Sequence, residues 1–200
     1  MTSASIGAGL LLNVALPSGA DAADLHGRIN PRDNKWDDSW TTRLGKYRTV
    51  FDVSEMDAQP GAGAVPAVMD TYNMVLGTTD ADLGFVLVIR HMAVAMLLDD
   101  SIWGKYDVGS DLKHTQKDGK PFQVNPFKDL LSLVQKRGVT VLGCQSAMTG
   151  YGAMLAQRAK TEIPATRTEV QAGILPGVIM LPNGLYALAR AQNVGCGVMT

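Results

Sequence analysis

The chain has 200 residues, a formal net charge of −1 and only two cysteines. This length, with 46% hydrophobic residues, predicts one globular domain that buries a sizeable core. The near-neutral charge argues against a nucleic-acid partner, and the two cysteines exclude a disulfide scaffold and a CxxC metal site.

Residues 1–23 have the layout of a secretory signal remnant. The apolar run Ile6–Leu16 is too short to span a bilayer, and Ala20-Asp21-Ala22 after it fits a small-x-small cleavage site. The basic region of a signal is missing, since no Lys or Arg precedes Arg28. We expect an exported, periplasmic protein whose mature chain begins near Ala23. The alternative is an ordinary small-residue helix or tail on a cytoplasmic protein.

The next part of the chain predicts an irregular arm and then an alternation of strands and helices. The arm, residues 24–46, is polar and carries Trp36 and Trp40, which we expect to dock on the domain or on a neighbouring subunit. The predicted strands are Tyr47–Val53, Leu83–Ile89, Val139–Cys144, Val178–Leu181 and Cys196–Thr200. The predicted helices are 65–77, Met92–Tyr106, Pro126–Arg137 with Asn125 as N-cap, 146–162, a short one between Pro164 and Pro176, and Gly184–Asn193.

Two polar or glycine-rich segments, 61–64 and 107–125, are predicted to be loops. Strands that alternate with helices indicate a mostly parallel five-stranded sheet inside a three-layer α/β/α domain, here residues 47–200. No membrane span and no internal repeat are predicted.

Cys144 is the most informative residue for function. It closes a predicted buried strand and stands at the start of the next helix, at the edge where open α/β sheets bind ligands. The amino end of a helix favours the nucleophilic thiolate form of a cysteine. The alternative is a buried cysteine that acts as a small hydrophobe.

Arg90 and His91 end the preceding strand, so they are expected at the same edge as Cys144. An imidazole can take the proton of a thiol, which makes His91 the candidate proton partner of the nucleophile. Arg90, Gln145 and Ser146 are the candidate substrate-binding residues, and Arg90 is expected to attract an anion or a persulfide. The alternatives are a capping or supporting role for His91 and an ordinary surface charge for Arg90.

Two further groups of residues allow other interpretations. Asp99-Asp100 either cap a break in the chain or do acid–base chemistry. His91, Met92 and Met96 would, together with Cys144, offer soft ligands to a metal such as Cu(I), although methionines at this spacing also fill cores. We assign no metal and no cofactor.

The order of these segments resembles the DsrE/DsrF-like sulfur-relay family, and in particular an exported branch of it. The resemblance covers residues 47–200. It rests on the strand-His-helix arrangement and on these segments: Asp99–Tyr106, Asn125-Pro126-Phe127, Arg137–Cys144, Leu175-Pro176-Gly177-Val178, Pro182-Asn183-Gly184 and Ala191–Gly195. It implies a flavodoxin-like three-layer fold, a homo-oligomer (trimer or hexamer), and a strand-end cysteine, here Cys144, that carries sulfur as a persulfide between a donor and an acceptor protein.

Geometry predicts that the two cysteines do not pair. Cys144 closes its strand and Cys196 opens the last one, so they lie at opposite edges of a parallel sheet, separated by roughly 16 Å for about five residues. A disulfide needs Cα atoms within about 7 Å. With Cys144 expected to be a free thiol, the resemblance makes sulfur transfer or sulfur-compound binding at this residue the leading functional hypothesis. The alternatives are a soft-metal or small-ligand binding protein and a non-catalytic oligomeric module.

Overall fold

The computed structural model describes residues 36–56, 61–113 and 115–200, and these contain a five-stranded sheet in which every pairing is parallel. The strands are β1 (Tyr47–Val53), β2 (Leu83–Ile89), β3 (Thr140–Cys144), β4 (Ile179–Leu181) and β5 (Gly197–Met199). Their order across the sheet is β4-β3-β2-β1-β5.

Helices cover both faces of this sheet. They are α1 (Gly61–Leu76), α2 (Asp100–Lys105), α3 (Lys128–Lys136), α4 (Gln145–Ala159), α5 (Ile163–Ala172) and α6 (Gly184–Asn193). The chain steps in one direction from β1 to β4, so right-handed crossovers place the intervening helices on one face. It then returns past β1 to β5, which places α6 on the other face. The predicted flavodoxin-like three-layer α/β/α architecture is confirmed.

The strand β2 is central and is buried at all seven positions. Its run of large aliphatic and aromatic side chains supplies both layers, because successive residues point to opposite faces. Phe85, Leu87 and Ile89 belong to the larger apolar cluster, and Val86 and Val88 belong to the smaller one beneath α6.

The amino-terminal arm docks on the domain, as its tryptophans predict. Trp40 lies in a 3-10 helix, Ser39–Thr42, and is fully buried in the smaller apolar cluster. Asp38 beside it forms an ion pair with Arg190 of α6. The signal-like residues 1–23 and the first part of the arm lie outside the described residues, so export stays a prediction.

The prediction of a loop at residues 61–64 is wrong, because α1 begins at Gly61. Glycine and proline near the start of a segment predict a break, and Pro66 lies inside this helix. Burial of Ala62, Val65 and Met69 against the sheet outweighs those weak local preferences.

The single helix predicted over Met92–Tyr106 is also wrong. The segment is a 3-10 helix, His91–Leu97, an extended break at Leu98, and then α2. Leu98 forms an antiparallel bridge with Ile174. The Asp99 carboxylate accepts hydrogen bonds from the N–H groups of Ser101 and Ile102, the second and third residues of α2, at 3.0 and 3.1 Å. Asp99 is thus the cap of a break, the first of the two roles expected for it.

The helix predicted to begin at Pro126 instead begins at Lys128, with Phe127 as its N-cap. Asn125 still organises the start, because its Oδ1 accepts the Phe127 N–H at 2.8 Å. Its Nδ2 donates to the carbonyls of Met96 and Leu98, at 2.7 and 2.6 Å. The polar segment before it, which contains a short 3-10 helix at Val108–Asp111, is therefore fastened to the core at its end.

We predict that Asn125→Ala destabilises the protein by about 2–4 kcal/mol, since it leaves two buried carbonyls and one buried N–H without partners. Asn125 is itself buried, and Met96 and Leu98 are fully buried. Denaturant unfolding measures the loss. The control is Gln116→Ala, whose exposed side chain has one hydrogen bond within the described residues, to the carbonyl of Pro121 five positions on. Equal stability of the two variants would contradict the proposed anchoring role.

Candidate functional site

Cys144 lies where β3 ends and α4 begins, and it serves both elements. It is the last residue of the strand and the N-cap of the 15-residue helix. Its Sγ accepts a hydrogen bond from the Ala147 N–H at 3.3 Å. The sulfur therefore takes the place that an Asp or Ser oxygen usually fills at a helix start, a place that favours negative charge.

Arg90 brings a positive charge to the same edge. The register pairs Ile89 of β2 with Gly143 of β3, so Arg90 and Cys144 follow at the same level on neighbouring strands. The pKa of Arg90 is raised, first by its hydrogen bonds to Asp52 and in smaller part by the charge of Cys144, while burial acts in the opposite direction. Arg90 and Cys144 thus interact electrostatically.

The Arg90 side chain is fixed by two neighbours. Its Nε and Nη2 donate to the two carboxylate oxygens of Asp52, at 2.7 and 2.8 Å, in a two-point ion pair. A Cβ added at Gly184, the first residue of α6, would lie 2.5 Å from the Cβ of Arg90, so only glycine allows this close approach. The described residues offer no hydrogen-bond partner to the remaining nitrogen, Nη1.

His91 lies at the surface beside Glu55. Its backbone is left-handed, with φ 52, an unusual conformation for a residue other than glycine. The side chain is 65% exposed, and Nδ1 lies 3.9 Å from Oε1 of Glu55. No hydrogen bond joins His91 to Cys144 in the part of the chain that the structure describes. The structure therefore brings Arg90, but not His91, into register with the thiol.

Gln145 and Ser146 continue the chain from Cys144 into α4. Ser146 is exposed, and its backbone N–H donates to the carbonyl of Pro182 at 3.2 Å, which ties the start of α4 to the end of β4. Gln145 instead reaches across to α5, where its Nε2 donates to Oε1 of Gln171 at 2.8 Å.

A groove of about 470 Å³ opens between α4 and α5. Its lining includes Gln145, the first residue of α4, which follows Cys144. The two helices pack closely here because Gly152 lets Arg167 approach, where a Cβ would lie 3.2 Å from the Arg167 Cγ. The residues that line the groove include Gln145, Met148, Thr149, Arg167, Thr168 and Gln171. Only Gln145 among them is a residue that the sequence singled out.

The two methionines considered as soft metal ligands lie in different surroundings. Met92 lines a small cavity of about 60 Å³ together with Glu55 and Met56, whereas Met96 is fully buried in the core. Among residues 36–56, 61–113 and 115–200, no three His, Cys, Asp or Glu side chains form a group that could hold a metal ion. The methionines thus fill space at two depths of the same layer.

The two cysteines are free thiols, which confirms that they do not form a disulfide. Cys144 ends β3, whereas Cys196 precedes β5 and packs in the smaller apolar cluster near α6. Burial raises the pKa of the Cys196 thiol, and the charge of Arg48 opposes this in part.

The described part of the chain also contains no helix long and apolar enough to cross a membrane.

Comparison with known proteins adds similarity to solved structures alone. No protein-family model matches the sequence, and no curated protein matches it. Among solved structures, the chain is similar to the protein of unknown function MTH1491 from Methanobacterium thermoautotrophicum. The two share 15% sequence identity with a TM-score of 0.42, over 76% of this chain and 97% of that one.

We predict that Cys144 reacts with a small alkylating agent at least about tenfold faster than Cys196 at pH 8, because thiolate rather than thiol is the nucleophile. Both residues are 6% exposed, so unequal exposure does not account for the expected difference, whereas burial raises the pKa of the Cys196 thiol. Mass spectrometry of peptides from the folded, reduced protein measures the two rates. The same reaction in denaturant is the control, where the rates should converge. Equal, slow labelling of both in the folded protein would favour a merely buried Cys144.

Proposed function

We propose that this protein is a DsrE-like sulfur carrier in which Cys144 holds a sulfur atom as a persulfide between a donor and an acceptor. One observation carries the proposal: the Cys144 Sγ caps the start of a long helix while Arg90, held by Asp52, stands level with it. The resemblance of the sequence segments to the DsrE/DsrF-like family points to the same residue.

Two neighbouring features place positive charge beside the Cys144 Sγ. The start of α4 contributes the positive end of a helix dipole and the Ala147 N–H, and Arg90 contributes a full positive charge. A persulfide on Cys144 is also an anion, since persulfides are more acidic than thiols. The same groups would therefore stabilise both the attacking thiolate and the product.

The reaction needs no external oxidant. The Cys144 thiolate attacks the outer sulfur of a donor persulfide, R–S–SH, and forms a new S–S bond. The S–S bond of the donor breaks, and its electron pair leaves with R–S⁻, which takes up a proton. Delivery to the acceptor repeats this exchange in the opposite sense, with the acceptor thiolate as nucleophile.

The other candidate residues take supporting roles in this scheme. Arg90 would bind the anionic outer sulfur through Nη1, which its ion pair with Asp52 leaves available. Because His91 faces Glu55 at the surface, we assign it to protonation of the leaving donor thiolate rather than to deprotonation of Cys144. Export to the periplasm remains part of the proposal and would place this chemistry outside the cytoplasm.

Treatment of the reduced protein with sodium polysulfide, followed by desalting, should add one sulfur atom to Cys144. Peptide mass spectrometry should find this adduct in wild type and in Cys196→Ser and lose it in Cys144→Ser, and a reducing agent should remove it. Wild-type protein that carries sulfur equally on both cysteines, or on neither, would contradict the proposal.

A charge-neutral double variant tests the contribution of Arg90. Asp52→Asn/Arg90→Gln removes the positive charge beside Cys144 without leaving a carboxylate unpaired. We expect sulfur loading to slow several-fold because the thiolate loses its nearby cation. An unchanged loading rate would remove Arg90 from the mechanism and leave the carrier role to Cys144 alone.

The proposal includes a homo-oligomer, a trimer or a hexamer. Three consecutive large apolar side chains are exposed at the end of α1: Met74, Val75 and Leu76, at 79%, 67% and 52%. At one edge of the sheet, β5 is exposed at all three positions and includes Val198 and Met199. Exposed apolar clusters of this kind mark interaction surfaces more often than isolated residues do.

Light scattering at micromolar concentration should therefore give the mass of a trimer or larger. Val75→Lys should lower the mass, because a charge in a buried interface is costly. Val124→Lys makes the same change at an exposed position outside this cluster and should not. A clean monomer in the wild type would contradict the oligomer.

A further inference from the structure

We infer that His91 is a positioning residue, which sets Arg90 beside Cys144 through its backbone and independently of its imidazole. His91 comes two residues after the end of β2, and its φ of 52° lies in the left-handed region. A residue with a Cβ is strained there, so glycine usually fills such positions. The claim about the reactivity of Cys144 stands by itself, whereas any effect on sulfur loading rests on the proposed function.

The chain before His91 is held by the sheet. The Arg90 N–H donates to the carbonyl of Val53 at 2.9 Å, which continues the ladder between β1 and β2. The Arg90 side chain is fixed by its two-point ion pair with Asp52. Arg90 therefore cannot shift without the loss of contacts to β1.

The chain after His91 is held by the core. It enters the 3-10 helix His91–Leu97, in which residues 93–97 are fully buried. Three successive carbonyl groups of this helix accept hydrogen bonds of 2.7 to 3.0 Å from distant parts of the chain: Ala95 from Trp103, Met96 from Asn125 and Leu97 from Leu175. The far end of the 3-10 helix is therefore fixed in place.

A shared hydrogen bond closes the turn between these two fixed parts. The Ala93 N–H donates to the carbonyl of Arg90 at 3.1 Å and to that of Ser54 at 3.2 Å. His91 thus lies inside a four-residue turn with both ends held, and a strained backbone persists where the surroundings impose it. If residue 91 left the left-handed region, either Arg90 or the 3-10 helix would have to move.

The same 3-10 helix reaches the strand that carries the thiol. A Cβ added at Gly143, the residue before Cys144, would lie 2.8 Å from the Cδ1 of Leu97. Leu97 therefore packs closely on β3, one residue from the thiol. The 3-10 helix connects the cation with the thiol strand, and the turn at His91 sets how the two meet.

Substitutions at position 91 separate the backbone from the imidazole. His91→Gly and His91→Asn suit a left-handed backbone and lack an imidazole, whereas the β-branched His91→Val disfavours this conformation. The readout is alkylation of Cys144 in the folded, reduced protein, a reaction in which no donor thiolate leaves and needs a proton. His91→Gly and His91→Asn should react within about twofold of wild type, and His91→Val at least about threefold more slowly, because the thiolate loses its cation.

Three controls exclude a general loss of structure. Lys160→Val places the same side chain at another left-handed position, φ 54°, at the far end of α4, and should leave the Cys144 rate unchanged. Cys196 in the same samples should keep its slow rate, because unfolding would expose both buried cysteines. His91→Ala, with the smaller β-carbon substituent, should slow the reaction less than His91→Val and serves in its place if that variant does not fold.

A combined variant tests whether His91 acts through Arg90. In the Asp52→Asn/Arg90→Gln background, His91→Val should cause no further slowing, because the group that it positions is absent. A purely structural role would instead add its full effect there and would overturn the inference. Equal reactivity of Cys144 in wild type and His91→Val, or equal slowing by His91→Gly, His91→Asn and His91→Val, would overturn it too.

Sulfur loading separates this inference from the proposed function. His91→Val should take up sulfur from sodium polysulfide more slowly than wild type, in parallel with its slower alkylation. Loading of His91→Val at the wild-type rate would overturn the positioning role and leave the carrier role intact. Alkylation rates that follow the expected order, in a protein whose wild type takes up no sulfur, would support the positioning role and overturn the carrier role.

Discussion

The two-point ion pair between Arg90 and Asp52 is the interaction on which the carboxyl edge of the sheet depends. It joins the residue that follows β2 to the last part of β1, with distances of 2.7 and 2.8 Å. Arg90 also contacts Gly184, the first residue of α6, so the ion pair lies where the start of this helix packs against the edge of the sheet. Because both partners are mostly buried, loss of either one would leave an uncompensated charge at the edge.

This ion pair also places a cation next to a cysteine that is otherwise enclosed. Cys144 and Cys196 have the same small exposure, yet the groups that surround them differ. Cys144 meets a helix start and Arg90, whereas burial raises the pKa of Cys196. The chemistry that we propose for Cys144 is therefore a consequence of electrostatics at the strand end, not of greater access.

The sequence was sufficient to predict the strands, because short, near-continuous apolar runs such as Leu83–Ile89 are typical of strands that a parallel sheet buries on both faces. It also located Cys144 and Arg90, since strand ends are visible as the points where such runs stop. The break at Leu98 depends on pairing with Ile174, 76 positions away, and local patterns carry no such information. The same is true of Asp52 as the partner of Arg90, of the left-handed backbone that turns His91 toward Glu55, and of the groove formed where α5 packs on α4.

The central claim is that Cys144 carries sulfur, and the most direct measurement is the mass of this residue in protein purified from its native host without reducing agents. We expect the peptide that contains Cys144 to carry one additional sulfur atom that a thiol reductant removes, and the peptide that contains Cys196 to be unmodified. A Cys144 peptide that is always unmodified, in samples where a known persulfide protein keeps its sulfur, would contradict the account.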